Sequence, residues 1–189
     1  METIKSIRIL IVGYGSIGKR HLRLVRAKFP EASILLYRHK HTMTIPLGAT
    51  SVTSSLDEIL RFGPDVAIIA NPASLHLNVA DYLVKLGCDI LIEKPISNDL
   101  PEAYKFLETL EKHNVFCAVG YNLRQKPSLK RFKDLVLSQA VGEPISVKSE
   151  VGQYLPNWRP GTDYRENVTS SAHLGGGVML ELSHEIDYL

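Results

Sequence analysis

Residues 7–25 read "IRILIVGYGSIGKRHLRLV". The opening apolar run is rich in β-branched residues and has no polar alternation, the pattern of a strand buried on both faces. It stops at Gly13, Gly15 and Gly18, spaced G-x-G-x-x-G. Beyond them, "SIGKRHLRLVRAKFP" (16–30) places Ile17, Leu22, Leu24 and Val25 in a helical pattern and closes on Pro30. Strand, glycine turn and helix follow one another at the start of a βαβ unit.

The alternation continues outward from this segment. "SILLYR" (33–38), "PDVAIIA" (64–70), "DILIEKP" (89–95) and "VFCAVGY" (115–121) read as further strands. Between and after them, "SLDEILRFG" (55–63), "SLHLNVADYLVKLG" (74–87), "LPEAYKFLETLEKHN" (100–114) and "PSLKRFKDLVLSQ" (127–139) read as helices. Their signals are serine caps, first-turn acids, a first-turn proline and a glycine stop at Gly87. Alternating strands and helices predict an α/β fold, a doubly wound parallel sheet with helices on both faces. Near residue 140 the texture changes. "GEPISVKSEVGQYL" (142–155) alternates apolar and polar residues and has no helix behind it, so it reads as a first antiparallel strand of a new domain. Residues 156–174 read as a long loop. In "GGGVMLELSHEIDYL" (175–189), Leu182, Ile186 and Leu189 share one helical face, and Glu181, His184 and Asp187 share the other. The predicted domains are 1–140 and 141–189.

The 189 residues are 44% hydrophobic and 22% charged, ordinary for a globular protein, and the net charge of +2 gives no reason to expect nucleic acid or a membrane surface as a partner. No apolar run approaches membrane-spanning length and no signal peptide is recognisable, so a cytoplasmic protein is expected. Cys88 and Cys117 lie in apolar or strand-like runs and read as free thiols. His39 and His41 lack a third ligand, so no metal site is expected.

A G-x-G-x-x-G turn between a buried strand and a helix is the fingerprint of dinucleotide binding. Gly13 allows the tight turn, Gly15 lets the backbone approach a pyrophosphate, and Gly18 permits close helix–strand packing. Tyr14, Ser16 and Ile17 complete the loop, and the helix N-terminus offers N–H groups and a positive dipole end. An acid at the end of the second strand would bind a ribose 2′-hydroxyl, but that end reads "LYRHK" (36–40). Arg38, with His39 and Lys40 beside it, suits a 2′-phosphate, which predicts NADP in preference to NAD. The plainer reading of this segment is a solvated basic loop.

"GYGSIG", "EKP" (93–95), "GYNLR" (120–124) and "GGG…H…D" (175–187) occur in that order. This set resembles the glucose–fructose oxidoreductase, inositol dehydrogenase and rhizopine-catabolism family (Gfo/Idh/MocA), and the motifs span nearly the whole chain. "GQYLPNWRPGTDYRE" (152–166) resembles a branch associated with sialic-acid-type surface sugars. The resemblance implies an NAD(P)-binding Rossmann domain, then a mostly antiparallel α/β domain, with a hydride moving between the cofactor and a carbinol carbon of a sugar, cyclitol or nucleotide sugar. It implies Lys94 at the reacting oxygen and His184 as acid/base. It also implies a cis Lys94–Pro95 bond, and Asn71, Pro72, His76, Glu93 and Asn122 along the cofactor. Arg124, Tyr154, Trp158, Arg159, Tyr164, Glu181 and Asp187 are candidates for the substrate cleft, where aromatic faces and arginines suit sugars and anionic groups.

One position departs from the family pattern. Many members carry aspartate four residues before the histidine; here that position is Leu180, and the nearest acid is Glu181. Family members also continue well past this helix, which implies a truncated member, inactive or weakly active as a fragment, whose apolar helix face lacks its sheet and which forms a homo-oligomer. Two function classes remain: a sugar oxidoreductase, whole or cut, and a non-catalytic dinucleotide-binding module such as a redox sensor or partner-dependent subunit.

Overall fold

The computed structural model describes residues 6–39, 44–158 and 161–189, in two compact units that divide after Val119. The first is built on six parallel strands: β1 (Arg8–Val12), β2 (Ser33–Tyr37), β3 (Ser51–Thr53), β4 (Val66–Ile69), β5 (Asp89–Ile92) and β6 (Cys117–Val119). Their spatial order is β3-β2-β1-β4-β5-β6, the doubly wound arrangement in which the chain reverses direction across the sheet between β1 and β4. Strand β3 has no counterpart in the sequence reading. Three residues are too few for a pattern, and the strand exists because Val52 pairs with Leu36 along the edge of β2.

Side chains alternate across the sheet with a period of two. Ile9, Ile11, Ile34, Leu36 and Ile68 face one side and pack with Leu22 and Val25 of α1 (Ser16–Lys28). Leu10, Val12, Leu35, Ala67, Ile69, Ile90 and Ile92 face the other. There they meet Ile59 of α2 (Leu56–Phe62), Leu77, Ala80, Leu83 and Val84 of α3 (His76–Lys85), and Phe106 of α4 (Leu100–Lys112). Full burial of one such side chain contributes about 1.5–3 kcal/mol, so the two faces together drive the fold. Cys88 belongs to this core, where burial first, then Asp89 and Asp65, push its thiol up to about 12. Helix α4 starts where Asp99 accepts the Glu102 N–H at 2.8 Å, the N-cap that Pro101 then follows.

The second unit, 120–189, differs from the sequence reading in three ways. The helix α5 (Pro127–Leu137), expected on the nucleotide-binding side of a boundary near 140, clusters with this unit, against the 3₁₀ turn Asn122–Gln125. The strand expected over 142–155 is absent; residues 144–154 are irregular and exposed. An alternating segment without a neighbouring strand has no ladder for its N–H and C=O groups, and water satisfies them instead. The expected single helix over 178–189 is two short ones, α6 (Val178–Glu181) and α7 (His184–Asp187), separated at Leu182 and Ser183. Its polarity is also inverted: Ile186 and Leu189 are exposed, whereas the Asp187 side chain is only 8% exposed. Among the described residues, no helix is long and apolar enough to cross a membrane.

Candidate functional site

In an open parallel sheet, ligands bind beyond the carboxyl ends of the strands, where the strand order reverses. Here that place lies between the ends of β1 and β4. Gly13 follows β1 with φ +93°, and its N–H donates to Tyr37 O at 2.9 Å. A Cβ on Gly13 would meet Ala70 O at 2.7 Å, and one on Gly18 would meet Gly13 O at 2.2 Å. The backbone itself therefore demands both glycines. Gly15 has nothing within 4 Å of its Cβ position, so it faces space open to a ligand. It is also the N-cap of α1, whose first turn, with Ser16 and Ile17, holds no acid. The loop fits a dinucleotide pyrophosphate. After β4, the Asn71 amide donates to Leu75 O at 3.1 Å, while its Oδ1 is buried without a hydrogen-bond partner among the described residues. A buried acceptor of that kind suits a donor from a bound molecule.

The "EKP" turn leaves the end of β5 at the same edge. Glu93 N–H donates to Ile69 O at 2.9 Å, its Oε1 meets His21 Nε2 at 2.7 Å, and its Oε2 accepts the Lys94 N–H at 3.3 Å. Burial pushes the Glu93 carboxyl up, but the bond and charge of His21, with Lys94, outweigh it and hold the group below its ordinary value. The Lys94–Pro95 bond is cis, and Lys94 is half-buried. Behind the turn, His76 is 1% exposed, with Nδ1 2.9 Å from Pro95 O and Nε2 2.9 Å from Asn71 O. A neutral ring donates to one of these carbonyls and a protonated ring to both. Burial keeps the imidazole below its ordinary value despite the two carbonyls. His76 thereby ties the Asn71–Pro72 segment to the turn that carries Lys94.

At the end of β2, Arg38 donates its backbone N–H to Thr53 O at 2.9 Å. Its guanidinium lies 5.3 Å from the centroid of the Tyr14 ring, and the Lys19 ammonium lies 5.3 Å from the same centroid. His39 is described and exposed; Lys40 and His41 lie outside the described residues. No three His, Cys, Asp or Glu side chains among the described residues are grouped as a metal site.

In the second unit, His184 opens α7, and its ring meets Tyr121 edge to face, with centroids 5.5 Å apart. Two substrate candidates pair with each other. Arg124 Nε and Nη2 donate to the Asp187 carboxylate at 2.8 and 2.7 Å, a forked pair that holds the guanidinium above its ordinary value. Glu181 and His184, predicted to share one helix, lie on separate ones. Trp158 and Tyr164 line a small hollow with Leu155, Asn167 and Thr169, while Tyr154 is exposed. Asn122 begins the 3₁₀ turn that follows β6. Arg159 lies outside the described residues. Gly176, within the triple glycine, has its Cβ position 2.1 Å from Val168 O, so a side chain there would collide with backbone. A second hollow, lined by Arg8, Gly63, Asp65 and Asp89, lies at the amino ends of β1, β4 and β5, away from the glycine loop. Its Arg8–Asp65 pair is closed at 2.6 Å.

The sequence reading missed His21, Lys19 and Tyr121 as site residues. His21 carried one usable signal: it stands one helical turn after Gly18, on a helix that begins at the ligand loop.

The model of the oxidoreductase family with the NAD-binding Rossmann fold (GFO_IDH_MocA) matches residues 7–121, and the chain belongs to this family. It is 28% identical to the uncharacterized oxidoreductase YrbE of Bacillus subtilis, over 97% of this chain and 52% of that protein. It is 27% identical to the NADP(+) D-xylose 1-dehydrogenase of Haloarcula marismortui, over 52% of this chain and 28% of the relative. The scyllo-inositol dehydrogenase from Lactobacillus casei, solved with bound cofactor NAD(H) and scyllo-inositol, superposes with a TM-score of 0.63 at 25% identity, covering 73% of this chain and 43% of that one. The chain spans about half the length, or less, of these relatives.

Proposed function

We propose that this chain carries the cofactor-binding part of an oxidoreductase that moves a hydride between NADP(H), or less favourably NAD(H), and a carbinol carbon of a sugar, cyclitol or nucleotide sugar. The observation that carries the reading is the 2.7 Å contact between His21 and Glu93. It joins the helix of the glycine loop to the turn that bears Lys94, so a cofactor on the loop and a reacting oxygen near Lys94 share one rigid frame.

Oxidising an alcohol takes a proton from oxygen as hydride leaves carbon. The nicotinamide, when bound, supplies the hydride chemistry. Lys94 steadies the negative charge that develops on the reacting oxygen, and His184 exchanges the proton. Gly13, Tyr14, Gly15, Ser16, Ile17 and Gly18 hold the pyrophosphate and adjoining ribose, Arg38 and His39 a 2′-phosphate, and Asn71, Pro72, His76, Glu93 and Asn122 the nicotinamide side. Arg124, Tyr154, Trp158, Arg159, Tyr164, Glu181 and Asp187 are assigned to the substrate. A sugar dehydrogenase and a cyclitol dehydrogenase among the proteins similar to this chain support that substrate class. The free thiols Cys88 and Cys117 suit a cytoplasmic protein, and the exposed Ile186 and Leu189 suit self-association, readable by sedimentation.

Titration of NADPH and NADH by nicotinamide fluorescence, followed by turnover with a polyol panel, tests the proposal. Made in a longer family member that carries these motifs, Lys94→Ala and His184→Ala should each lower turnover by about 10²–10⁴-fold, whereas this chain should bind dinucleotide and turn over little or no sugar. Tight dinucleotide binding with no turnover in that longer member would favour the second reading, a non-catalytic module such as a redox sensor or partner-dependent subunit. What speaks for that reading is the shortness of α7 and the exposure of its Ile186.

A further inference from the structure

Tyr14 stands between two cations brought together from different elements. It projects from the glycine loop, Lys19 lies one turn into α1, and Arg38 follows β2. Both charged groups lie 5.3 Å from the Tyr14 ring centroid, inside the distance at which a ring quadrupole attracts a cation. Some other cations of this unit have partners: Arg8 has Asp65, Lys85 has Asp81, and Arg26 has the carbonyls of Gly48, Pro30 and Ala32. Among the described residues, neither Lys19 nor Arg38 has a carboxylate partner. Two like charges held at one ring repel each other, and an anion placed there relieves the repulsion.

We propose that Tyr14 is a specificity-determining residue whose ring holds the Lys19 ammonium and the Arg38 guanidinium as a paired seat for a phosphomonoester, the 2′-phosphate of NADP(H). This rests on the proposal that the chain binds NADP(H), and it adds Lys19 and the ring of Tyr14 to the groups that select it. A ribose 2′-hydroxyl has no charge to match two cations, whereas a phosphomonoester carries close to two negative charges at neutral pH. The planar guanidinium supplies forked donors and the ammonium a compact point charge, so the two act on different oxygens. The ring's part is to keep both side chains collected at the loop before the anion arrives, which lowers the ordering cost of binding.

The test compares 2′,5′-ADP with 5′-AMP by calorimetry on the whole chain, because the two probes differ only in the phosphate at issue. The unmutated chain should bind 2′,5′-ADP at least about tenfold tighter, as expected of charge-assisted contacts. Tyr14→Leu should reduce that preference about fivefold to thirtyfold, the size of two exposed cation–π contacts, beyond any loss common to both probes. Tyr14→Phe should retain the preference. Lys19→Met, at an exposed helical position, should reduce it too and keeps the test decisive if Tyr14→Leu does not fold. If Tyr14→Leu and Lys19→Met keep the preference while Arg38→Met removes it, Arg38 acts alone; the inference falls and the cofactor reading stands. Equal losses on both probes would mean that the ring packs on adenosine, and the inference falls again. An unmutated chain with no preference overturns the NADP(H) reading itself.

Discussion

The two units of this chain use similar apolar residues to opposite effect. In the first, Leu10, Ile11, Ile34, Leu36, Ile59, Ile69 and Leu83 are 0% exposed. In the second, Ile145 is 98% exposed, Val141 94%, Val178 73% and Leu137 71%, and its buried non-glycine residues among those described are Thr169 and Ser183. The residue types are alike; what differs is whether each has a partner to pack against. A parallel ladder presents two flat faces, and each helix that returns across it finds an apolar surface waiting. The alternating segment near residue 145 has the pattern of a strand but no neighbour to pair with, so its side chains remain in water.

That contrast can be broken by mutation. Ile69→Ala, in the middle of the sheet, should cost about 2–5 kcal/mol by urea unfolding; a loss below about 1 kcal/mol would mean that the first core tolerates cavities and differs less from the second than its burial implies. Gly18→Ala forces a methyl to within 2.2 Å of Gly13 O and should cost about 1–3 kcal/mol while weakening dinucleotide binding. Unchanged affinity and stability together would show that the loop can open without penalty.

A smaller effect should appear with pH. The Glu93 carboxyl is held below its ordinary 4.5 in the folded chain. The unfolded chain therefore takes up this proton first as pH falls. The stabilisation from Glu93 is complete above 4.5 and is lost as pH drops through the lower folded value. Glu93→Gln should flatten the dependence of stability on pH as pH falls below 4.5, read from urea midpoints at several pH values. Identical slopes would remove Glu93 from the acid response. The smallest effect belongs to the second unit: Ile145→Ala should shift stability by less than about 0.5 kcal/mol. A loss as large as that of Ile69→Ala would show that Ile145 is covered in solution, which would overturn the contrast directly.

Five of the six strands and the first five helices were legible in the sequence, because each is a strong local pattern of adequate length. Asn71, Glu93 and Lys94 lie just beyond the carboxyl ends of β4 and β5, and short motifs marked them because their neighbours in the chain are also neighbours in the fold. His21 was not, since its partner Glu93 lies 72 positions away and nothing local marks a histidine on a helix as the holder of a distant acid. Lys19 and Arg38 stand nineteen positions apart (38 − 19) and meet only because Tyr14 lies between them.

Beyond residue 140 the local pattern misled. The alternation of 142–155 and the helical spacing of 178–189 were real features of the sequence, yet neither produced the element it suggested. Periodicity states which face of an element is apolar; it does not supply the surface that would cover that face. The glycine turn, the parallel sheet and the kind of ligand at its edge follow from residues close together in the chain, because steric limits at Gly13 and Gly18 and the two-residue alternation of strands act over short range. The bond between His21 and Glu93, the pairing of Arg124 with Asp187 and the exposure of Ile186 depend on which distant groups come within a few ångströms, and short-range patterns carry no record of that.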